Sequence, residues 1–341
     1  MPTPPTTQTP RRTTTDANAA AAVTRALAAT SPIVSMWRDG LTVIALESTV
    51  ESRPPDYLTF DQATADAALD IHEAAAQTVP TVEAITGKAP VLILGGDTII
   101  GGAQNRIINI TILLKAAATT AIPVTCLEAG RWNSGRRFTA ARPVDHSLRS
   151  MVAQQVSGSE RAPAHPARPT TPAFAADQFA VWQEIDQRHA RAAVNSPTQA
   201  LHEVYRREER SVDEFVCAFP MPTGSRGIAI GLFNRLVGLD LFDSTETLER
   251  QWPRLVASAA SALLDHQRAI DAGAAAKPAH GRLDSGALDR MLARAAAALA
   301  TATVTPSVGL GRDVRFAAPK LVGTALVHDR RAIHVALFRP A

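Results

Sequence analysis

The sequence has few cysteines, few aromatic residues and no long apolar run, and each shortage excludes a class of protein. Only two cysteines occur among 341 residues, Cys126 and Cys217, so the chain has neither a disulfide framework nor a cysteine-based metal site. No uninterrupted apolar run reaches membrane-spanning length, roughly 18 residues, so we expect no membrane span. Aromatic residues make up only 5% of the chain, which argues against RNA binding by base stacking.

The net charge is only +3, which by itself predicts no nucleic-acid partner. The charge is unevenly distributed, because five arginines and one acid lie between Arg131 and Arg149. A guanidinium group binds phosphate or carboxylate through two parallel hydrogen bonds, so this stretch is either an anion-binding element or a solvated basic loop. Arg25 interrupts the alanine run near the N-terminus, so we find no signal peptide and expect a cytoplasmic protein.

Composition also indicates how the chain is organised. The apolar fraction of 46% is typical of a globular protein, but residues 1–32 are rich in proline, threonine and alanine, and we expect a disordered tail there. We expect residues 33–341 to form a single domain. Its parts are a β-rich segment at 33–150, a linker rich in serine, alanine, proline and arginine at 157–172, and helices and hairpins at 173–341.

Apolar patterns predict the strands and helices. In the first half they indicate strands at 41–46, 91–94, 107–114 and 122–128, with a short helix near 60–69. These strands are too closely spaced for crossover helices, so we expect antiparallel pairing in a sandwich or barrel. The second half contains helical patterns and two apparent hairpins, at 228–242 and 321–338. The predicted fold class is α+β, with an antiparallel β-rich N-terminal half, a helical C-terminal half and two returning β-hairpins.

Polar chemistry is concentrated between Gly95 and Arg142. Two glycine pairs bracket Asp97, and the large polar residues Gln104, Asn105 and Arg106 follow. The glycine spacing matches neither the dinucleotide-binding fingerprint nor the Walker loop, so a tight turn between strands explains the glycines better than a phosphate cradle.

Strand alternation predicts which of these polar residues face the same way. If 105–114 is extended, Asn105, Asn109 and Thr111 share one face and Arg106 lies on the other with the isoleucines. Glu128 ends an otherwise apolar face of the next strand. A carboxylate in that position either pairs with a cation, Arg106 or Arg131, or has a shifted pKa, and the pattern leaves a structural ion pair and a functional role equally open.

Three other residue types in the sequence are weaker candidates. Cys126 lies among apolar strand residues and is more typical of inert packing than of a nucleophile. Trp132 is suited to stacking on a base, although a tryptophan just past a strand end is more often part of the core. His328 and His334 straddle the final turn, but two histidines alone make a poor metal site, so we expect no metal site.

The motifs Val91–Asp97, Gly101–Asn109 and Ile122–Trp132 together resemble the ARG and rhodanese-phosphatase-superfamily-associated protein domain family. The resemblance continues through Asp177-Gln178, Gly238–Phe242 and Leu321–His328, and so covers the chain from about residue 33 onward. This chain has Asp97 where the family usually has glutamate. The family is named for its association with ADP-ribosylglycohydrolases and rhodanese-like phosphatase-superfamily proteins, which implies work near NAD-derived or ADP-ribosylated molecules.

Three hypotheses follow from the residues and the resemblance. In the first, the protein binds or processes a phosphate-containing, nucleotide-like ligand linked to NAD or ADP-ribose. Its site residues would be the acid or base Glu128 or Asp97, the phosphate-binding Arg106 and Arg131, and the ligand-reading Gln104, Asn105, Asn109 and Trp132.

In the second hypothesis the chain is a non-catalytic partner domain for an ADP-ribosylglycohydrolase or a phosphatase. The same polar residues would then be occupied by internal ion pairs, and an apolar patch would be exposed elsewhere. The third hypothesis, RNA binding through the basic stretch, ranks last. The sequence identifies no cofactor and no reaction.

Overall fold

The computed structural model describes residues 13–74, 80–131, 135, 137–159, 174–276 and 283–340. Over these residues the chain is α+β, and its two larger sheets are antiparallel throughout, as the apolar patterns predict, whereas the small third sheet contains one parallel pair. The α-helices are α1 (Thr14–Ala28), α2 (Phe60–Ala65), α3 (His146–Ser159), α4 (Gln178–Ala192), α5 (Leu201–Ala218), α6 (Thr245–Asp271) and α7 (Ala287–Ala298). Within the described ranges, no helix combines the length and the apolar character that crossing a membrane requires.

The strands are distributed over three sheets. They are β1 (Thr30–Arg38), β2 (Leu41–Ser48), β3 (Leu58–Thr59), β4 (Leu69–Glu73), β5 (Thr81–Thr86), β6 (Val91–Ile93), β7 (Thr98–Gly101), β8 (Arg106–Ile108), β9 (Ile112–Leu114), β10 (Thr119–Cys126), β11 (Arg137–Ala141), β12 (Gly227–Leu232), β13 (Arg235–Phe242), β14 (Thr303–Pro306), β15 (Arg312–Ala318), β16 (Leu321–His328) and β17 (Arg331–Phe338).

The largest sheet has eight strands in the order β1-β2-β12-β13-β17-β16-β15-β14, and every neighbouring pair is antiparallel. Both predicted hairpins, β12–β13 and β16–β17, are confirmed. The first half is β-rich as expected, with eleven of the seventeen described strands, but the second half contains more strand than expected, because it adds β14 and β15 to the two hairpins and supplies six of these eight strands. Strand β2 pairs with β12, although the two strands are far apart in the sequence. No local sequence pattern could indicate this pairing.

The first half contributes a closed six-stranded barrel in the order β10-β5-β4-β11-β7-β8, which confirms the barrel-like prediction. A small third sheet has the order β3-β6-β9. The single strand predicted at 107–114 is instead two strands, because the chain leaves the barrel after β8 and enters the small sheet at β9. The alternation of side chains is therefore broken between Asn109 and Thr111.

The N-terminal segment also needs correction. Residues 13–32, which we expected in a disordered tail, form α1 and the start of β1; residues 1–12 lie outside the described part of the chain. Thr13 and Asp16 form a reciprocal capping box at the start of α1, and Val23 and Leu27 are buried against the large sheet. Alanine has a high helix propensity, and Val23 and Leu27 give α1 an apolar stripe. Packing of this stripe against the large sheet therefore orders the segment.

The predicted linker at 157–172 is described only in its first three residues, which form the end of α3; residues 160–172 fall outside the described ranges. The assignment of residues 33–341 to a single domain stays a prediction.

Helices cover both faces of the large sheet. One apolar cluster joins α1 and α7 to the sheet through residues such as Leu46, and a second joins α6 to the opposite face through residues such as Val43. Strand β2 is therefore buried on both faces, which explains its continuous apolar run.

The small sheet lies between the barrel and the large sheet. Val91 and Ile93 of β6 belong to the barrel's apolar cluster, whereas Leu92 and Leu94 belong to the cluster under α6. Successive residues of a strand point to opposite faces, so one short strand contributes to two cores.

Arg149 of α3 links the barrel side of the molecule to the large sheet. Its Nε donates to the carbonyl of Gly95 at 3.0 Å, and its Nη2 donates to Oδ1 of Asp240 in β13 at 2.8 Å. His334 of β17 contacts the same carboxylate through Nε2 at 3.0 Å, and its Nδ1 lies 3.0 Å from Thr111 Oγ1. Burial alone would raise the pKa of Asp240, but the charge of Arg149 and these hydrogen bonds hold it well below its ordinary value.

Gly96 is required where Arg149 passes the turn between β6 and β7. Gly96 has a φ of +101°, and a Cβ at this position would lie 2.4 Å from Cγ of Arg149. The glycine pair at Gly95 is therefore part of a tight turn that also accommodates the arginine side chain.

Replacing Asp240 with asparagine should reduce the free energy of unfolding by about 3–5 kcal/mol, because Arg149 is then buried without its counter-charge. The double variant Arg149→Met/Asp240→Asn should lose less than the single variant, since no unpaired charge remains. Urea unfolding followed by circular dichroism measures both values. A single variant within about 1 kcal/mol of the wild type would show that the pair is not a structural requirement.

Candidate functional site

Arg106 lies inside the barrel at one end. It is the first residue of β8 and pairs with Cys126, the last residue of β10, and with Ile99 of β7. Directly opposed residues share a face of the sheet, so its side chain lies on the same face as Ile99, which is completely buried. Arg106 itself is 2% exposed. An arginine at this depth needs internal acceptors.

The carboxylate partner of Arg106 is Glu73, at the end of β4. Nη2 of Arg106 donates to Oε1 of Glu73 at 3.2 Å, and Nη1 donates to Oε1 of Gln104 at 3.2 Å and contacts Sγ of Cys126. Sequence reasoning missed Glu73. The available signal was the alternation of Leu69, Ile71 and Glu73 in β4, which places a carboxylate at the end of an apolar face.

Two buried donors in this cluster have no hydrogen-bond acceptor among the described residues, Nε2 of Gln104 and Nε of Arg106. A buried donor without an acceptor is costly, and such groups in native structures are rare. The ligand-binding interpretation of Gln104 and Arg106 depends on these two atoms.

Glu128 pairs with Arg131, one of its two expected partners. Nη2 of Arg131 donates to Oε2 of Glu128 at 2.8 Å, and the backbone N–H of Asn105 donates to the same oxygen at 3.2 Å. Arg131 also donates to the carbonyls of Gly101 and Gly102. Burial alone would raise the pKa of Glu128, but the hydrogen bonds it accepts lower the pKa below its ordinary value. The carboxylate is therefore held in its charged form.

Asn109 lies between β8 and β9 and is satisfied on both sides of its amide. Its Nδ2 donates to the carbonyl of Phe174 at 2.9 Å, and its Oδ1 accepts from Oγ1 of Thr125 at 2.8 Å. The predicted common face for Asn105, Asn109 and Thr111 is wrong, because the hydroxyl of Thr111 contacts His334 in the large sheet.

Asp97 belongs to a separate network. Its Oδ1 accepts from Nη2 of Arg254 in α6 at 2.6 Å, and its Oδ2 accepts from the N–H of Leu94 at 2.9 Å. The second hydrogen bond closes the turn after β6. Asp97 therefore ties this turn to α6, whereas Glu128 fixes the loop between β7 and β8.

The structure thus distributes the predicted site residues over distinct networks. Arg106 and Gln104 meet at the barrel end, next to the network of Glu128, Arg131 and Asn105, and separate partners hold Asn109 and Asp97. Trp132 lies outside the described residues. The catalytic roles considered for Glu128 and Asp97 stay predictions.

The basic stretch does not form one patch over its described arginines. Arg137 is exposed and pairs with Asp70, Arg142 stacks on the ring of Tyr205, and Arg149 is buried against Asp240. Arg136 lies outside the described ranges.

Among the described residues, the barrel end has neither an activated thiol nor a group of metal ligands. Burial raises the pKa of the Cys126 thiol, and the nearby charge of Arg106 only partly offsets this effect. Over the residues that the structure describes, no group of three or more histidine, cysteine, aspartate and glutamate side chains is placed to hold a metal ion.

Comparison with protein families identifies a domain model that matches most of the chain. The model of ARPP-1, described as the ARG and Rhodanese-Phosphatase-superfamily-associated Protein domain, matches residues 34–338. Comparison with curated proteins and with solved structures finds no match.

Replacing Arg106 with alanine should lower the free energy of unfolding by about 3–5 kcal/mol, because Glu73 is left buried without a counter-charge. The double variant Arg106→Met/Glu73→Gln should lose less. Urea unfolding measures both values, and a thermal-shift assay with ADP-ribose and NAD runs in parallel. A nucleotide shift in the wild type that disappears in an Arg106→Ala protein of unchanged stability would instead support direct ligand binding by Arg106.

Glu128 should contribute stability that depends on pH. Its pKa in the folded protein lies below the ordinary value of 4.5, so its contribution is complete above that pH and is lost as the pH falls through the folded pKa. The variant Glu128→Gln should therefore show a shallower loss of stability than the wild type on acidification below about pH 5. Glu209→Gln, at an exposed position of α5, is the matched control and should follow the wild-type curve.

Proposed function

The chain belongs to the ARG and Rhodanese-Phosphatase-superfamily-associated Protein domain family, and we propose that it is a non-catalytic domain that binds an enzyme of one of those two classes. The family description records association rather than a reaction. In this proposal the chain contributes a docking surface, and the associated enzyme carries out the chemistry.

The polar constellation supports a structural role better than a catalytic one. Arg106 pairs with Glu73, Arg131 with Glu128 and Arg254 with Asp97. Carboxylates held in ion pairs stay charged and are poor general acids at neutral pH. This is the arrangement expected when such residues hold loops and strands together.

The observation that carries the proposal is the edge strand β1. It pairs only with β2 among the strands that the structure describes. Three large apolar side chains on it are exposed, Ile33 by 38%, Val34 by 41% and Trp37 by 52%. An edge strand also presents unpaired backbone N–H and C=O groups, and most proteins protect such edges with charge, proline or a covering loop.

The segment Val34–Arg38 is the best place for a partner strand. The register with β2 shifts between Pro32 and Val34 and is regular from Val34 onward, so the backbone can continue a ladder there. We therefore assign the partner an extended strand with apolar side chains, which adds to the sheet beside β1. This segment begins where the family match begins, at residue 34.

A second candidate function is the binding of a phosphate-containing ligand linked to NAD or ADP-ribose. The unpartnered donors of Gln104 and Arg106 favour it at the barrel end. In that case Gln104 and Arg106 would bind the ligand, and Glu128 would hold Asn105 in position through the hydrogen bond that it accepts from the Asn105 N–H. The thermal-shift assay described above separates the two functions.

The double variant Val34→Lys/Trp37→Lys should weaken binding to the partner at least about tenfold, because the lysines oppose an added apolar strand. The measurement is titration of the full chain with a purified ADP-ribosylglycohydrolase and, separately, with a rhodanese-phosphatase-superfamily protein from the same genome. The melting temperature should change little, since both positions are exposed.

Phe179→Lys is the matched control, because Phe179 is an apolar residue 67% exposed on α4 rather than on β1. It should leave the affinity unchanged. Docking through β1 is refuted if neither enzyme class binds the wild type, or if the control loses as much affinity as the double variant.

A further inference from the structure

A cleft of about 350 Å³ lies at one end of the large sheet, and no barrel strand lines it. The end of α1, the loop after β2, the end of β13 and the turn between β16 and β17 form its walls. None of the described residues of the predicted site lines it. Its lining includes five arginines, namely Arg25, Arg53, Arg226, Arg330 and Arg331.

The cleft carries an excess of positive charge. Its five arginines face three carboxylates, Glu51, Asp243 and Asp329, which leaves a surplus of two positive charges. Asp243 is already occupied, because it accepts hydrogen bonds from Arg331 and from the hydroxyl of Tyr57. The exposed Glu51 and Asp329 would oppose an anion, but they are fewer than the remaining arginines.

Arg226 forms the buried floor of the cleft, and its guanidinium group contacts no carboxylate of the described residues. Its three nitrogens donate to the carbonyls of Phe242 at 3.2 Å, Val50 at 3.1 Å and Asp243 at 2.6 Å. These carbonyls orient the guanidinium but provide only dipoles, so its charge is not neutralised by direct contact. Burial lowers the pKa of Arg226 below its ordinary value, and the nearby charge of Asp243 only partly offsets this effect.

Two arginines at the rim are free to bind. Within the described part of the chain, Arg53 and Arg330 make no hydrogen bond and no ion pair through their guanidinium groups. Arg25 makes one hydrogen bond, to the carbonyl of Arg330 at 3.3 Å. Guanidinium groups at the rim and on the floor therefore surround one space. Most N–H donors of the rim arginines make no hydrogen bond within the described part of the chain.

We infer that this cleft binds a small phosphate-bearing molecule. Phosphate offers three acceptor oxygens in different directions, which suits guanidinium groups that approach from several walls, whereas a carboxylate offers two in one plane. Small-molecule sites usually occupy about 300–1,000 Å³, so this volume fits a sugar phosphate better than a complete dinucleotide.

Ligand binding in the cleft does not depend on docking through β1. Helix α1, which supplies Arg25, lies outside the region matched by the family, so this chain completes the cleft with its own N-terminal helix. The β1 double variant should therefore retain the ligand, and failure of one proposal leaves the other intact.

The test is calorimetric titration of the full chain with ribose 5-phosphate, with ribose and citrate as comparators. The wild type should bind ribose 5-phosphate and neither comparator with similar affinity. Arg53→Ala/Arg330→Ala should weaken binding at least about tenfold without unfolding the protein, since both side chains lie at the surface.

Arg250→Ala/Arg294→Ala is the matched control, because it removes two exposed arginines of α6 and α7 and changes the net charge equally. It should leave binding within about twofold of the wild type, which would separate a formed site from general charge attraction. An equal loss in both double variants, tighter binding of citrate, or no binding of ribose 5-phosphate by the wild type would overturn the inference.

Discussion

The ion pair between Arg149 and Asp240 joins parts of the molecule that are distant in the sequence. Arg149 comes from α3, Asp240 from β13, and His334 reaches the same carboxylate from β17. Taking two charges out of water is expensive, and their attraction offsets that cost only when the geometry is nearly complete. Any arrangement of the barrel that displaced α3 would leave these charges unpaired, so the pair selects one relative placement of α3 and the large sheet.

This constraint explains why the motif around Gly95 is so polar. Gly96 leaves room for the side chain of Arg149, the carbonyl of Gly95 accepts from it, and Asp97 binds Arg254 of α6. A glycine-rich turn beside an acid and several arginines has the composition of a phosphate site. Here the same composition fastens a turn to two helices, α3 and α6.

Sequence reasoning succeeded where the signal is local. Antiparallel pairing, the barrel and the hairpins β12–β13 and β16–β17 follow from alternation and short connections. The pairing of β2 with β12 joins distant segments and leaves no local trace. Glu73 was missed because it lies in a strand that was not predicted, and the partner of a buried charge becomes visible only when both strands have been identified. Alternation also failed between Asn109 and Thr111, where one apolar run crosses from the barrel to the small sheet.

The small sheet has a consequence for how the protein unfolds. In β6, Ile93 packs in the barrel cluster and Leu92 packs in the cluster under α6. Displacing β6 therefore disrupts the packing of both clusters. Loss of the barrel would expose apolar surface of the second cluster at the same moment, and the free energy of that exposure couples the two. We therefore expect amide hydrogens of β6 and β9 to exchange mainly through opening events that involve both clusters, so that the two clusters unfold cooperatively.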